Sequence, residues 1–568
     1  MEPKPWIKQY DAGVPPTLQP YPTRTLLDIL ADNARERPDH PCLLFKGAKI
    51  SYAELVRLSD ACAASLVGCC VTKGDRVALI MPNSPQMVIA MFGAWKAGAI
   101  VVPINPLYTA HEIKFALNES SAKTAIVLTT FYNKVKEIQS STRLTYLIAS
   151  NIKEYLPGSL RLLFTLFKEK KEGHAIDLES DDFWLKDLMR LHARDSRPKI
   201  KLALDDPAVL LFSGGTTGVP KAAVLTHQAL VISGIQLQAW FSSLLKPWDD
   251  IITVNLPLFH VYALAGVFTI GLVNHNPLAL IPNPRDLDDT VSTITKVHPA
   301  FLPGVPTLFN SLLDHPKVVS GKADISSLKL CISGAAPLLE EIRNRFESAT
   351  GGRIVEGYAL TESAMACVIS PVFGRRKPGA VGLPLPDVEV RIVDADTGEI
   401  ELSPNEVGEI VMRAPQLMAG YWQSPTETHN ALRDGWLFTG DLGYLDEEGY
   451  VYIVDRKKDV IKVSGFQVWP REVEEVIASH PAVAEVGVAG VLDPQQGEIV
   501  KAWVVLRAGE TLSVDDLRIF CKAKLAAYKV PRNIEFRTSL PKSTVGKILR
   551  RELASETIGQ RNEENLPH

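Results

Sequence analysis

The fold of this chain is indicated most directly by the stretch FSGGTTGVPK, residues 212–221, which follows the apolar run at residues 208–211. The apolar run predicts a strand that leads into a loop. Glycine lets several backbone N–H groups turn toward one anion, while hydroxyls and a lysine add side-chain donors. We therefore predict a phosphate-binding loop. Its donors are Ser213, Gly214, Gly215, Thr216, Thr217, Gly218 and Lys221.

The spacing of this loop excludes the P-loop NTPase motif. That motif places glycine directly before the lysine and a hydroxyl residue directly after it. Here Val219 and Pro220 separate Gly218 from Lys221, and Ala222 follows the lysine. For the loop considered alone, a surface turn without chemistry is the alternative, so other segments must decide.

Length and composition narrow the class of protein. A chain of 568 residues with 46% hydrophobic and 22% charged residues is typical of a globular protein with more than one domain. The net charge of −4 argues against nucleic acid as the main partner. Seven scattered cysteines without metal-ligand spacing favour a reducing cytoplasm. The proline-rich residues 1–20 resemble neither a secretion signal nor a membrane anchor, and no apolar run reaches spanning length.

Strand and helix patterns alternate along most of the chain. Residues 76–81 predict a strand, a helix follows from the turn at Ser84 to near Gly98, and residues 99–102 predict the next strand. This order is a βαβ unit with parallel strands, and a second unit is predicted over residues 328–355. Ligands of open α/β sheets bind at the carboxyl ends of such strands.

After Gly449 the pattern changes to the short strands and helices of a small α+β domain. The charged run DRKKD at residues 455–459 separates this part from the rest. We predict an α/β protein with three parts: a large N-terminal domain with parallel-sheet subdomains at residues 1–454, a hinge linker at 455–459, and a small mobile domain at 460–568.

The segment EGYALTE, residues 356–362, combines groups that suit a nucleotide. Tyr358 could stack on a purine and Thr361 could donate to phosphate. Glu362 could hold Mg²⁺, which takes one or two carboxylates together with phosphate oxygens. The alternative is a helix N-terminus with an acidic residue in its first turn, which explains Glu362 alone.

Three further residues are candidates with weaker individual signals. Asp441 follows Gly440 in what the sequence predicts to be a tight turn, where its carboxylate could accept from ribose hydroxyls. Lys547 lies in a polar loop of the small domain and could neutralise charge in a transition state, the alternative being a solvated surface lysine. His260 ends an apolar segment, and most such histidines are core residues.

Taken together and in this order, the motifs resemble the acyl-adenylate-forming (AMP-binding) superfamily over about residues 25–553. That superfamily contains acyl-CoA synthetases, nonribosomal adenylation domains and firefly luciferase. The resemblance is to bacterial long-chain fatty-acid CoA ligases in particular. It is carried by NPLYT at 105–109, GYW at 420–422, VDRKKD at 454–459, and GKILRREL at 546–553.

The resemblance implies a two-step reaction that uses ATP, Mg²⁺ and CoA. A fatty-acid carboxylate attacks the α-phosphate of ATP to give acyl-AMP and pyrophosphate, and the CoA thiol then attacks the mixed anhydride. It implies that the glycine-rich loop with Lys221 holds the β- and γ-phosphates, that Glu362 and Ser213 bind Mg²⁺, and that Thr361 contacts the α-phosphate. The residues implied to frame adenine are Gly334, Ala335, Glu356, Gly357 and Tyr358.

The remaining implied roles concern ribose, the acyl group and domain movement. Asp441 binds the ribose hydroxyls with Arg456 nearby, and the acyl entrance is shaped by His260, Leu264, Gly334 and Ala359. The small domain rotates about Lys458 between the half-reactions, so that Lys547 serves adenylation. The segment from Lys462 to Gly465 then moves in for thioester formation, with Gly465 leaving room for the pantetheine arm.

Four residues depart from the family pattern: Gly214, Ala222, Ala359 and Leu264. Ala359 and Leu264 lie near the implied acyl pocket, so they leave open the length of the acyl chain but not the type of reaction. An aryl or branched-acid CoA ligase is an alternative, and so is an acyl-AMP ligase that loads a carrier protein. The latter is disfavoured because no insertion separates Asp459 from Gly465. A silent nucleotide-binding scaffold is a further alternative, although Lys221, Glu362 and Lys547 are all present.

Residues 156–173 place Leu160, Leu163, Phe164 and Phe167 at helical spacing beside several basic residues. Two interpretations stay open for this stretch. The apolar stripe packs against the large domain, which is the commoner outcome for amphipathic helices, or it lies on a membrane surface as a peripheral contact. The sequence also leaves open whether the protein is a monomer or a homodimer.

Overall fold

The computed structural model describes residues 4–213, 220–283, 285–334, 338–463, 466–493, 497–543 and 547–556. Its strands, in chain order, are β1 Pro41–Phe45, β2 Ala48–Ser51, β3 Arg76–Ile80, β4 Ile100–Pro103, β5 Thr124–Leu128, β6 Tyr146–Ser150, β7 Phe183–Trp184, β8 Pro207–Ser213, β9 Lys221–Thr226, β10 Ile252–Val254, β11 Leu278–Leu280, β12 Phe301–Gly304, β13 Leu330–Ser333, β14 Arg353–Leu360, β15 Met365–Ile369, β16 Ala380–Pro384, β17 Glu389–Val393, β18 Gly408–Arg413, β19 Gly420–Tyr421, β20 Leu432–Arg433, β21 Trp436–Leu445, β22 Val451–Arg456, β23 Ile461–Val463, β24 Phe466–Val468, β25 Val483–Asp493, β26 Gly497–Leu506 and β27 Asn533–Phe536.

Helices cover the faces of these sheets and connect their strands. The α-helices are α1 Leu26–Glu36, α2 Tyr52–Gly68, α3 Pro85–Lys96, α4 Ala110–Ser120, α5 Thr129–Gln139, α6 Gly158–Phe167, α7 Leu185–Leu191, α8 His227–Phe241, α9 Thr269–Val273, α10 Leu287–Val297, α11 Pro306–Leu313, α12 Pro316–Val319, α13 Glu340–Thr350, α14 Pro425–Ala431, α15 Pro470–Ala478 and α16 Val514–Lys522. Short 3₁₀ turns lie at Pro5–Gln9, Ile152–Tyr155, Thr361–Ser363 and Ala527–Lys529, and a π-helix at Tyr262–Phe268.

The strands form three sheets. One follows the order β17-β18-β21-β22-β16-β15-β14-β13-β12-β10-β11-β1-β2, with β20 beside β21. A second follows β19-β9-β8-β4-β3-β5-β6-β7. The third follows β24-β23-β26-β25, with β27 beside β26. The predicted α/β fold is confirmed, because parallel strands connected by helices build much of the first two sheets.

Both predicted βαβ units are present. β3 and β4 pair in parallel around α3, which begins after the Ser84 cap as its N-cap motif predicts. β13 and β14 pair in parallel around α13, and that helix ends at Gly351, whose φ of 72° is a left-handed conformation that favours glycine. The helix predicted to begin at Pro337 begins at Glu340 among the described residues.

β14 changes its pairing partner along its length. Its first half pairs in parallel with β13 as far as Glu356, whereas from Gly357 onward it pairs antiparallel with β15. Open α/β sheets bind ligands beyond the carboxyl ends of their parallel strands. The segment EGYALTE therefore lies at a position that suits a ligand.

The chain passes once from the first, large sheet to the third, small sheet, in the segment between β22 and β23 that we call the chain crossing. β22 belongs to the first sheet and ends at Arg456, whereas β23 of the third sheet begins at Ile461. Every strand of the third sheet comes from the part of the chain after this point. Asp455 and Arg456 thus belong to a strand of the large sheet, and the division at residues 455–459 stays a prediction.

One local prediction is wrong. Asp441 does not follow a tight turn, because residues 436–445 form the continuous strand β21, in which Gly440 has a φ of 70° and Asp441 pairs with Arg456 of β22. Of the two interpretations left open for residues 156–173, the structure does not favour packing of the whole apolar stripe against the domain, since only Phe164 is buried while Leu160, Leu163 and Phe167 are exposed. Among the described residues, no helix has the length and apolar character that crossing a bilayer requires.

Candidate active site

The predicted phosphate loop joins two paired strands. β8 ends at Ser213 and β9 begins at Lys221, and these two residues lie opposite each other in the antiparallel ladder. The intervening donors Gly214, Gly215, Thr216, Thr217 and Gly218 lie outside the described residues. The two ends of the loop are therefore fixed next to each other by the strands.

The carboxylate of Glu362, which lies just after β14, contacts Ser213, the residue at which this loop begins. The Ser213 hydroxyl donates to Glu362 Oε1 at 3.0 Å, although 149 residues separate the two in sequence. The Tyr421 hydroxyl donates to the same oxygen at 2.8 Å. Glu362 is presented by the 3₁₀ turn that begins at Thr361, directly after β14. Ser213 and Glu362 are thus brought together, with Thr361 next to Glu362 in the chain, while their assignment to Mg²⁺ and the α-phosphate stays a prediction.

Lys221, at the other end of the loop, forms an ion pair with Glu427 of α14. Its ammonium also lies 5.6 Å from the centre of the Tyr421 ring. Both contacts place the lysine beside the Ser213–Glu362 pair. A cation held here is positioned to bind phosphate oxygens once a nucleotide competes with Glu427.

The candidate adenine wall lies along the ends of β13 and β14. Gly334 packs against the ring of Tyr262 so closely that an added Cβ would lie 3.0 Å from ring atom Cε1. Glu356 accepts a hydrogen bond from the Leu338 N–H at 3.1 Å, and burial raises the pKa of its carboxyl. Gly357 follows it on β14, while Ala335 lies outside the described residues.

Asp441 is buried and held by two neighbours. The Tyr358 hydroxyl donates to Asp441 Oδ2 at 2.6 Å, and Arg456 Nε lies 3.3 Å from Oδ1. Burial, together with the negative charge of Asp441, raises the pKa of Tyr358 well above its usual value. Tyr358 therefore stays a neutral donor and fixes the carboxylate.

Two lysines near the chain crossing have lowered pKa values. Lys547 keeps solvent access, yet the surrounding protein and the charge of Arg456 lower its pKa to about 8, while Asp441 acts in the opposite direction. Protein atoms and Arg456 likewise lower the pKa of Lys458 to about 8. Lys547 is held by its own loop, since its N–H donates to Ser543 Oγ at 3.1 Å. The structure thus brings Lys547 into electrostatic contact with Arg456 and Asp441.

Lys462 is not brought to this place. It lies on β23 with an exposed side chain, and its N–H donates to Glu498 at 2.7 Å. Over the described part of the chain, no hydrogen bond or ion pair joins its ammonium to the residues above. Gly465 lies outside the described residues. Asp441 thus acts electrostatically on Lys547, one of the two lysines assigned to the half-reactions.

The predicted acyl residues lie around a π-helix. Burial lowers the pKa of His260 to about 4, so this imidazole is neutral at physiological pH. Leu264 is fully buried in the π-helix that follows, and Ala359 is half-buried on β14. Next to the π-helix lies a narrow apolar gap with about 180 Å³ of unfilled space, which is too narrow to admit a water molecule. Its lining residues are Leu237, Phe241, Tyr262, Gly266, Val267, Ile270, Phe301, Ile332 and Met365.

Known protein families match most of the chain. The family model of AMP-binding enzymes matches residues 30–422, and the model of the AMP-binding enzyme C-terminal domain matches residues 472–547. The chain belongs to the AMP-binding enzymes.

This AMP-binding enzyme is 40% identical to a long-chain-fatty-acid–CoA ligase of Bacillus subtilis, over 97% of this chain and 98% of the relative. It is 38% identical to a long-chain-fatty-acid–CoA ligase of Escherichia coli O157:H7, over 98% and 99% of the two chains. The crystal structure of ATP-bound MatB from Rhodopseudomonas palustris has a TM-score of 0.80 and 29% identity, with 93% of this chain and 98% of that chain covered.

Sequence reasoning missed two residues of the AMP-binding enzyme's site. Tyr421 shares Glu362 with Ser213, and Glu427 pairs with Lys221. Tyr421 lies in the GYW motif that supports the resemblance, so the sequence marks this tyrosine as part of the family pattern but does not indicate its contact with Glu362. Glu427 lies in an ordinary polar segment, and only the position of α14 over β19 places it beside the loop.

The oxygen donors of this site fit Mg²⁺. Mg²⁺ is bound in nucleotide sites by one or two carboxylates, with substrate phosphates and water completing its oxygen ligands. Glu362 supplies a carboxylate whose neighbours are two hydroxyls, and Ser213 adds an oxygen, so the donors fit. Among the described residues, no group of three or more His, Cys, Asp or Glu side chains could bind a metal without a nucleotide.

We expect Asp441→Asn to weaken ATP binding about 10- to 100-fold, because the amide loses one acceptor and the charge that its neighbours Tyr358 and Arg456 are arranged to hold. Isothermal titration of ATP measures the change. Asp446→Asn serves as a matched control on a neighbouring segment, since Asp446 pairs with Lys377 instead. Equal affinity in Asp441→Asn and the wild type would remove Asp441 from the nucleotide site.

Proposed function

We propose that this protein is an ATP-dependent long-chain fatty-acid CoA ligase. It forms acyl-AMP and pyrophosphate from a fatty acid and ATP, and then acyl-CoA and AMP from acyl-AMP and CoA. The observation that carries the proposal is two polar contacts between distant parts of the chain, Ser213–Glu362 and Tyr358–Asp441, together with the electrostatic effect of Asp441 on the Lys547 ammonium.

For the first half-reaction, we propose that ATP binds at the loop between β8 and β9 and at the carboxyl ends of β13 and β14. The loop from Ser213 to Lys221 holds the β- and γ-phosphates, and the latter residue leaves Glu427 for a phosphate oxygen. Glu362 and Ser213 hold Mg²⁺, which when bound neutralises phosphate charge. Thr361 donates to the α-phosphate. The ends of β13 and β14 frame adenine through Gly334, Ala335, Glu356, Gly357 and Tyr358.

Asp441 accepts hydrogen bonds from the ribose hydroxyls and so fixes the α-phosphate relative to the carboxylate of the acid. Lys547 then stabilises the negative charge that is shared by the attacking carboxylate and the α-phosphate in the transition state. Arg456 forms an ion pair with Asp441 and holds that carboxylate in place. Pyrophosphate is the leaving group.

The second half-reaction requires Lys547 to leave. We propose that the small domain rotates about Lys458, which carries the segment from Lys462 to Gly465 toward the adenylate. The exposed position of Lys462, away from Asp441, agrees with a structure poised for adenylation. Gly465 leaves room for the pantetheine arm of CoA.

The apolar character of this region supports an aliphatic acid as the substrate. The nine residues around the gap are apolar or aromatic, apart from the hydroxyl of Tyr262, which donates to the Ile332 carbonyl at 2.9 Å. Such a lining offers no partner for a second carboxylate or an amino group. We propose that the acyl chain enters here when these side chains move apart, with His260, Leu264 and Ala359 at the entrance.

The test is a coupled assay with ATP, Mg²⁺ and CoA across saturated fatty acids of increasing length, with benzoate and cinnamate as competing classes. We expect pyrophosphate release and thiol consumption together, highest for long aliphatic acids. Pyrophosphate without thiol consumption would indicate an acyl-AMP ligase for a carrier protein. A preference for benzoate or cinnamate would replace the fatty acid by an aryl acid, and no pyrophosphate with any acid would contradict an acid-activating enzyme.

We further propose a cytoplasmic location with peripheral membrane contact. The seven cysteines are all free and six of them are buried, as expected where thiols stay reduced. Fatty acids partition into bilayers, so an enzyme at the membrane surface meets a concentrated substrate.

A further inference from the structure

α6 directs most of its apolar side chains toward solvent. Only Phe164 is buried, with its ring 5.4 Å from that of His174. The others have relative exposures between 42% and 70%, in a helix of ten residues. These exposed side chains are Leu160, Leu162, Leu163, Leu166 and Phe167. Contiguous large apolar side chains in water mark an interaction surface.

The helix is held firmly in this orientation. The Arg161 guanidinium donates to the Glu154 carbonyl at 2.8 Å, which ties the helix to the 3₁₀ turn before it. On the other side, Glu169 forms an ion pair with Lys153 and accepts from Asn151 Nδ2 at 2.9 Å. The exposed face is therefore a feature of the folded domain, and the five side chains are presented together.

Positive charge borders the apolar face. Lys168, Lys170 and Lys171 follow the helix directly, and all three are exposed. Glu169 is turned inward and neutralised by Lys153, which leaves Glu172 as the exposed acid of this segment, 3.3 Å from Lys168. The edge of the patch is thus basic, although the whole chain carries a net charge of −4.

Charge and shape select among the surfaces that could cover this patch. A second copy of the chain would bring two lysine clusters together, and one short helix offers far less than the roughly 800 Å² per partner of a stable interface. A helix of ten residues is half the length that spans a bilayer. An interfacial helix, by contrast, inserts its apolar side chains between headgroups while adjacent lysines bind anionic lipid.

We propose that α6, together with Lys168, Lys170 and Lys171, docks the protein on an anionic lipid bilayer. The five apolar side chains enter the headgroup region and the lysines bind lipid phosphates. The proposal deepens the proposed function, because it places the enzyme where fatty acids partition. It does not depend on catalysis, so its test and the test of the ligase activity can fail separately.

The experiment is vesicle co-sedimentation of the full chain. Vesicles contain phosphatidylcholine alone, or phosphatidylcholine with about one-third phosphatidylglycerol, at low and high salt. We expect binding to the anionic vesicles that weakens with salt. The variant Leu162→Ser/Leu166→Ser/Phe167→Ser should bind at least about tenfold more weakly than the wild type, because three apolar side chains no longer insert. Lys168→Gln/Lys170→Gln/Lys171→Gln should lose the preference for anionic vesicles.

The matched control is Val319→Ser/Ile400→Ser/Ile519→Ser, which removes three equally exposed apolar side chains from other elements. It should bind like the wild type, and all variants should melt at the wild-type temperature because the replaced side chains are exposed. No binding by the wild type, equal binding to both vesicles, or equal binding by the α6 variant would each overturn the proposal. So would a concentration-dependent dimer in sedimentation that the α6 variant abolishes without any effect on vesicles.

Discussion

Replacing Lys547 by alanine should lower the rate of acyl-adenylate formation about 10²- to 10³-fold, which is typical for loss of one preorganised group that stabilises transition-state charge. The reason is position: the lysine lies in electrostatic contact with Asp441 and Arg456, while Lys462 points into solvent elsewhere. Thioester formation from preformed acyl-AMP should stay within a few-fold of the wild-type rate, since Lys547 is withdrawn in that step.

The same lysine should impose a pH dependence. Its pKa is lowered from the usual range to about 8, so the ammonium form is complete at lower pH and is lost as the pH rises through that value. Adenylation should therefore fall above about pH 8, and bound ATP should move the inflection upward because phosphate charge favours the ammonium form. In Lys547→Arg this alkaline decline should disappear, because a guanidinium stays charged.

Pyrophosphate release and acyl-AMP consumption, measured as separate half-reactions, check the expectation. Lys542→Ala is the matched control, since it removes a lysine of the same loop that pairs with Glu485 within the small domain. Equal losses in both half-reactions for Lys547→Ala, or an equal loss in Lys542→Ala, would assign the lysine a structural role instead.

The resemblance located most of the candidate site because its motifs stand at strand ends. Ser213 and Glu362 were assigned to one metal, and the structure brings their oxygens within 3.0 Å across 149 residues of sequence. Local signals likewise predict α3 and α13, because the Ser84 cap of α3 and the Gly351 that ends α13 act within one element. These are the features that local sequence determines.

Features that depend on packing between distant elements were missed or misjudged. The Gly440–Asp441 pair signals a turn locally, but pairing of Asp441 with Arg456 of β22 extends the strand through it, while the register with β18 shifts opposite these residues. Amphipathic spacing in α6 predicts a packed stripe, yet the domain covers only Phe164. The partner Glu427 of Lys221 is set by the position of α14, which no local pattern specifies.

The second large effect is expected at Arg550, which joins the two sides of the chain crossing. Its Nη1 lies 2.8 Å from Asp455 Oδ1 in β22 of the large sheet, while its Nε donates to Glu474 of the small domain at 2.8 Å. Asp455 is almost fully buried and also accepts from the Arg471 N–H at 2.6 Å. Burial raises the pKa of the Glu474 carboxyl, and Arg550 opposes this change.

Arg550→Met should therefore leave two buried carboxylates close together without their shared cation. Breaking a buried pair in this way costs about 3–5 kcal/mol, and each 1.4 kcal/mol is a factor of about ten in an equilibrium. Part of this free-energy cost destabilises the domain arrangement in which Lys547 lies within electrostatic reach of Asp441. We expect adenylation to fall about 100-fold, and the melting temperature of the small domain to fall as well.

Asp455→Asn separates these two effects, because it weakens the contact across the crossing while Arg550 keeps Glu474. We expect this variant to lose adenylation with little change in melting temperature, and to retain thioester formation from acyl-AMP, since the rotated domain no longer needs the contact. Arg518→Met is the matched control, because Arg518 pairs with Asp515 on the outer helix α16. If the small domain rotates as proposed, this contact across the crossing has to break, so its strength should set how readily adenylation gives way to thioester formation. An Asp455→Asn enzyme with full adenylation would show that Arg550 stabilises only the small domain.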